Sequence, residues 1–168
     1  PQTGAPLFRR QALLDVGGWR EDQPCCQEHE LYLRLLMAGK NFKYSDVGGS
    51  VYRRFETGTL STTNMAMVWR ERLTIEQRIE HYLGREKMLT QARQWAINQA
   101  RFETARSAWH GARDIALEAI TAIRLSGAAF MPSGSAAPAS YRAFYRWLGF
   151  SAAEHIAHTT RSIRRVFA

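Results

Sequence analysis

The 168-residue sequence has only two cysteines, adjacent at Cys25 and Cys26. They supply neither a disulfide framework nor a CxxC ligand pair, which suits a reducing compartment such as the cytoplasm. A vicinal pair of this kind reads as packing rather than redox chemistry. Long apolar runs are missing too. The most hydrophobic stretch, 116–131, is interrupted by Glu118 and Arg124 and is too short to span a membrane. No charged-then-apolar leader follows Pro1, so no signal peptide is visible and the chain reads as a fragment or processed product. Gly17-Gly18 lacks a surrounding GxGxxG, which excludes a phosphate loop and leaves a helix stop. His29-Glu30 opens like a zinc-protease HExxH, but Leu33 stands where the second histidine is needed.

Apolar residues make up 45% of the chain, which is ordinary for a folded domain and argues against disorder throughout. The net charge of +8 is unevenly spread: residues 1–63 hold 8 Lys/Arg against 7 Asp/Glu, and residues 64–168 hold 15 against 8. A basic second half can meet nucleic acid, anionic lipid or an acidic partner, and its sign alone does not choose.

The first 63 residues mix short extended pieces with helices. "APLF" at 5–8, "NFKYS" and "GSVYRRF" read as short strands, and "RRQALLDV" as a helix closed by Gly17 and Gly18. From Asn64 the pattern turns helical. Asn64 can cap a helix to about Leu83, ended by Gly84. A second helix carries Met88, Ala92, Trp95, Ala96, Phe102, Ala105 and Trp109 as a core stripe up to Gly111, and a third spans about 112–126. Helices across 85–126 suit a helical hairpin. "MPSGSAAPAS" at 131–140 has the composition of a flexible connector. A helix at about 141–148 stops at Gly149, and Ser151 with Glu154 forms a capping-box pattern opening a basic amphipathic helix.

Within 27–38 taken as a helix, Glu28 shares a side with Leu31, Tyr32 and Leu35. Glu30 and Arg34, an i,i+4 pair, form the narrow polar stripe, so Glu30 reads as structural. Glu28 admits two readings. A first-turn carboxylate gains about 0.3–1 kcal/mol from the helix dipole and needs no further role. The same dipole favours the ionised form that a general base requires.

The run "LFRRQALLDVGGWRED", then "QEHELYLRLLMAGKNFKYSD", then "VYRRFETGTLS" resembles the C-terminal half of the catalytic domain of family 2, GT-A-fold glycosyltransferases, over residues 3–63. In that family an acid just before an acid-Leu-x-Leu-Arg helix is the catalytic base. Matching Glu30-Leu31-Tyr32-Leu33-Arg34 to that helix puts Glu28 at the base position. The family usually has Asp there, and the extra methylene alters acceptor geometry. The resemblance implies an inverting hexosyltransferase that moves a sugar from a nucleotide-sugar to a glycan or lipid-linked acceptor hydroxyl.

Arg53 and Arg54 fall where the family's chain closes over the donor, which implies a role on the diphosphate; the alternative is a solvated pair at a strand end. Phe55 stands near where some relatives have a metal-holding histidine. The family's Mg²⁺ or Mn²⁺ is bound through a DxD motif, and no Asp-x-Asp occurs in this sequence. The donor-binding half is therefore expected in a longer parent protein, and this chain alone is expected to be inactive.

The expected fold is an α/β fragment, the C-terminal part of a GT-A-type nucleotide-diphospho-sugar transferase fold, followed by a mainly α-helical extension. Its divisions are 1–63 for the catalytic portion, 64–130 for the helical extension, 131–140 for a flexible linker and 141–168 for the basic segment. The location expected is cytoplasmic, with 151–168 suited to peripheral attachment on an anionic membrane. His155 and His158, an i,i+3 pair without a third ligand, read as solvated helix residues. The competing function is a non-catalytic helical interaction module for a protein or nucleic-acid partner; nucleic acid is disfavoured for the transferase.

Overall fold

The computed structural model describes residues 6–44, 46 and 64–166, with 161–166 as backbone only. The described residues form helices α1 (Arg10–Asp15), α2 (Gln27–Met37), α3 (Met65–Arg85), α4 (Gln91–Ala108), α5 (Arg113–Leu125) and α6 (Ala139–Val166). No strand occurs among them, which overturns the α/β, GT-A-type expectation for the first part of the chain; the helical expectation for the remainder agrees. Residues 6–8 and 41–44, expected in strands, are irregular. "GSVYRRF" lies outside the described residues. The chain divides into two compact units, Pro1–Arg85 and Glu86–Ala168.

In the first unit α2 packs against α3. Leu31, Leu33 and Leu35 from α2 and Val68, Trp69, Leu73 and Ile75 from α3 are buried and make its core. The irregular segments pack through rings instead of ladder hydrogen bonds: Tyr32 of α2 meets Phe8 at 6.2 Å and Phe42 at 5.5 Å. The end of α2 needs a left-handed residue, and Gly39 supplies it at φ +71°. The Gly39 N–H donates to Leu36 O and the Lys40 N–H to Leu35 O, so two otherwise orphan carbonyls are satisfied in a Schellman turn. Asn64 caps α3, its Oδ1 accepting from the Met67 N–H at 3.1 Å. Gly84 remains helical, and α3 runs on to Arg85.

The second unit is built on the hairpin of α4 and α5. Ala105, Ala108, Ala116 and Ala119 are wholly buried, and their small side chains let the two helices approach closely. Phe102 is the centre of the core, surrounded by Tyr145 at 5.5 Å, Tyr141 at 5.9 Å, Phe150 at 6.0 Å and Phe130 at 6.1 Å. The expected α4 stripe is only half inside, because Met88, Ala92, Trp95 and Ala96 are exposed. Polar residues take those inner positions. Gln94 donates to Asn98, Asn98 to Ser126 Oγ at 2.9 Å, and Arg101, 1% exposed, lies within 3.5 Å of Asn98 Oδ1. Such a ladder is tolerable inside only because its members serve one another.

Residues 131–140 are tied to α4. Gln99 and Ser133 exchange two hydrogen bonds, Arg106 donates to Ala136 O, and Ala137 is buried. α6 breaks at Gly149, whose φ 77° and ψ −179° are non-helical. Beyond the break Glu154 turns inward and receives the Arg106 guanidinium at 2.5 Å.

Candidate functional site

Glu28 stands in the first turn of α2, half-buried, beside the Tyr32 ring one turn on. The helix opens unusually. Cys26 is its N-cap in the left-handed conformation, φ 57°, and gives no side-chain cap. First-turn carboxylates Glu28 and Glu30 therefore sit where the dipole's positive end is felt. The Tyr32 phenol is raised above its ordinary pKa, by burial first and by the Glu28 charge second. The His29 imidazole is lowered, by desolvation and then by the charge of Arg72. Burial pushes the Cys25 thiol up to about 12 and raises Cys26 as well, so both are poor nucleophiles near neutrality.

Glu30 occupies a different environment from its neighbour. Its side chain is 1% exposed, and three guanidinium groups converge on it: Arg34 at 2.8 Å, Arg78 at 3.2 Å and Arg20 at 4.0 Å. Arg34 also donates to Val16 O and, at 2.7 Å, to Gly18 O, which pins the turn after α1 onto α2. The expected Glu30–Arg34 pair is present. The stripe it lies on faces inward rather than to water, because Arg78 of α3 and Arg20 complete the neutralisation. Sequence spacing gives no sign of those two partners, which lie 48 residues away in one case.

Two hollows among the described residues lie elsewhere. One, of about 360 Å³, is lined by Met37, Thr74, Arg78, His81, Tyr82 and their neighbours in the first unit. The other, of about 420 Å³ in the second unit, is lined by Trp109, His110, Arg113, His155, His158 and Thr159. Neither includes Glu28. In the second hollow the His158 ring meets His110 at 4.4 Å, while His155 lies edge-on to Trp109 at 5.6 Å. The sequence had paired His155 with His158; the turn between α4 and α5 adds His110, which no spacing rule connects to them. Arg53 and Arg54 lie outside the described residues, so the structure brings neither to Glu28.

Among the described residues no group of three or more His, Cys, Asp or Glu side chains is placed to hold a metal ion. No helix among them is long and apolar enough to cross a membrane. No protein-family model, curated protein or solved structure matches this chain.

Proposed function

We propose that this chain is part of an inverting glycosyltransferase in which Glu28 is the general base. Glu28 takes the proton of an acceptor hydroxyl as that oxygen bonds to the anomeric carbon of a nucleotide-sugar. The bond from that carbon to the diphosphate breaks, the diphosphate leaves with the electron pair, and the configuration inverts. The observation that carries the reading is the place of Glu28 at the start of α2. Glu28 is half-buried in the first turn of α2, at the dipole's positive end, on a helix that Glu30 and its three arginines hold in place two residues further on. A base on so rigid a support meets the positional demand of proton transfer.

In this reading Arg53 and Arg54 bind the donor diphosphate, as the resemblance implies, and the rest of the donor site belongs to a longer polypeptide. The test is Glu28→Gln in the full-length parent. Transfer should fall by about 10²–10⁴-fold, the usual contribution of a general base, with nucleotide-sugar binding and folding retained. Glu28→Asp should keep part of the activity, since it preserves the carboxylate and shortens its reach. Undiminished turnover by the glutamine variant would sink the proposal.

A second reading, a non-catalytic helical interaction module, is favoured by one observation. The unit Glu86–Ala168 has its own aromatic core around Phe102 and includes none of the three candidate site residues.

A further inference from the structure

We propose that the hollow lined by Trp109, Arg113, His155 and His158 binds a small tetrahedral dianion, a phosphate group either free or carried on a small ester, with Arg113, His155 and His158 as its donors. The site lies in the unit Glu86–Ala168 and is independent of Glu28 and of the transferase reading. About 420 Å³ is available in it, on a floor that is already fixed. Trp109 is 4% exposed, with Phe150 edge-on at 5.3 Å and His155 edge-on at 5.6 Å. The Arg113 guanidinium lies over the same indole at 4.4 Å, so this long side chain is partly ordered before any ligand arrives. His155 and His158 follow one another by one turn of α6, on the same side of the helix. The His110 ring stands 4.4 Å from that of His158.

Charge selects the occupant. Every titratable side chain in the lining, His110, Arg113, His155 and His158, is neutral or positive, and none is a carboxylate. α5 opens at Arg113 without a side-chain cap, which adds the positive end of its dipole. Of the acids nearest in sequence, Glu154 is buried on Arg106 and Glu103 of α4 accepts from Gln99 two turns before His110. Asp114, exposed in the first turn of α5, lies outside the lining. A divalent cation would find two close imidazoles, no third ligand and a guanidinium beside them. Two imidazolium rings side by side repel, and an anion seated against them relieves that repulsion. A carboxylate offers two oxygens on one edge and a single charge. A phosphate-type dianion offers oxygens to both α5 and α6, and the two-pronged guanidinium matches them.

The test is titration of the whole chain with sodium sulfate against sodium chloride at equal ionic strength, followed through the ring-proton resonances of its five histidines. Those of His155 and His158 should move saturably, while His29 and His81, in the other compact unit, should not follow. Imidazoles as a class change charge between about pH 5 and pH 8, whereas sulfate stays a dianion, so sulfate should bind about tenfold more tightly near pH 6 than near pH 8. Arg113→Gln should weaken binding about tenfold and His158→Gln about threefold. Both side chains are exposed, so helical circular dichroism should be unchanged. Arg142→Gln, at an exposed position outside the hollow, should leave the affinity as it is. Inorganic phosphate and phenyl phosphate should each displace sulfate; a tighter ester identifies an esterified ligand, and equal affinity identifies the free ion. Equal movement of all five histidines, an affinity untouched by Arg113→Gln, no displacement by either phosphate, or tighter binding of acetate than of sulfate would overturn the proposal. So would zinc binding at His110 and His158 that is tighter than sulfate binding, which would make the hollow a cation site.

Discussion

Glu30 is a carboxylate almost without water, and it is stable only because Arg34, Arg78 and Arg20 surround it. Burying a charge costs several kcal/mol unless it is paired, and removing one partner strands the others. Glu30→Gln would leave Arg34 and Arg78 facing a neutral amide in a site built for an anion. The expected loss is about 3–5 kcal/mol in urea unfolding of the chain. A loss below about 1 kcal/mol, the range of an exposed pair, would show that water already screens these guanidiniums. The i,i+4 relation of Glu30 and Arg34 was legible in the sequence, as was the first-turn position of Glu28. What spacing could not supply was depth. A polar pair on one stripe of an otherwise apolar helix reads as its solvent face, yet here that stripe is packed because two distant arginines finish the charge balance.

At the scale of elements, the helical second part of the chain was legible, and some helix ends follow from caps and glycines. The Asn64 cap and the Gly149 break are both found where the residue types require them. The strands failed for a physical reason. Residues 6–8 and 41–44 have aromatic, extended-looking composition, but they reach the core through Phe8, stacked on Tyr32, and Phe42, edge-on to it. Short apolar pieces that pack by one ring carry the same sequence signal as short strands. The buried Gln94–Asn98–Arg101 ladder was likewise hidden, since each member is polar and only its neighbours make burial tolerable. Gly149 allows a direct test of element geometry. Its φ and ψ lie in a region that is essentially restricted to glycine, while a Cβ there would meet no atom within 4 Å. Gly149→Ala should therefore cost about 1–3 kcal/mol through the backbone alone. Gly84→Ala, inside α3 with equal space around it, should stabilise by about 0.5–1 kcal/mol. Chemical denaturation of the two variants separates strain from crowding, and a neutral Gly149→Ala would exclude the strain.

For the whole molecule, the neutral groups taken inside determine how the fold responds to alkali. Cys25 ionises at 9.0 in its ordinary state and is pushed up to about 12 by burial, with the neighbouring Cys26 adding to the shift. Tyr32 and Tyr145 are raised from 10.0 chiefly by burial, and Tyr141 is raised furthest, by burial and by Glu154 beside it. Every one of these groups is neutral when protonated and anionic when not, so the folded chain keeps protons that the unfolded chain gives up. Stability must then fall with rising pH, since the unfolded state binds fewer protons there. The contribution is fully present below 9.0 and is lost progressively as the pH rises through 9.0 toward about 12. Because shifted groups occur in both compact units, Cys25 and Tyr32 in one and Tyr141 and Tyr145 in the other, neither unit should escape. Urea midpoints measured across this range should decline steadily. Tyrosinate absorbance from the shifted residues should appear together with loss of helical circular dichroism rather than before it. Titration of all six tyrosines near 10.0, with the helices intact, would show that these phenols are open to water and that the alkaline limit of the fold is set by other groups.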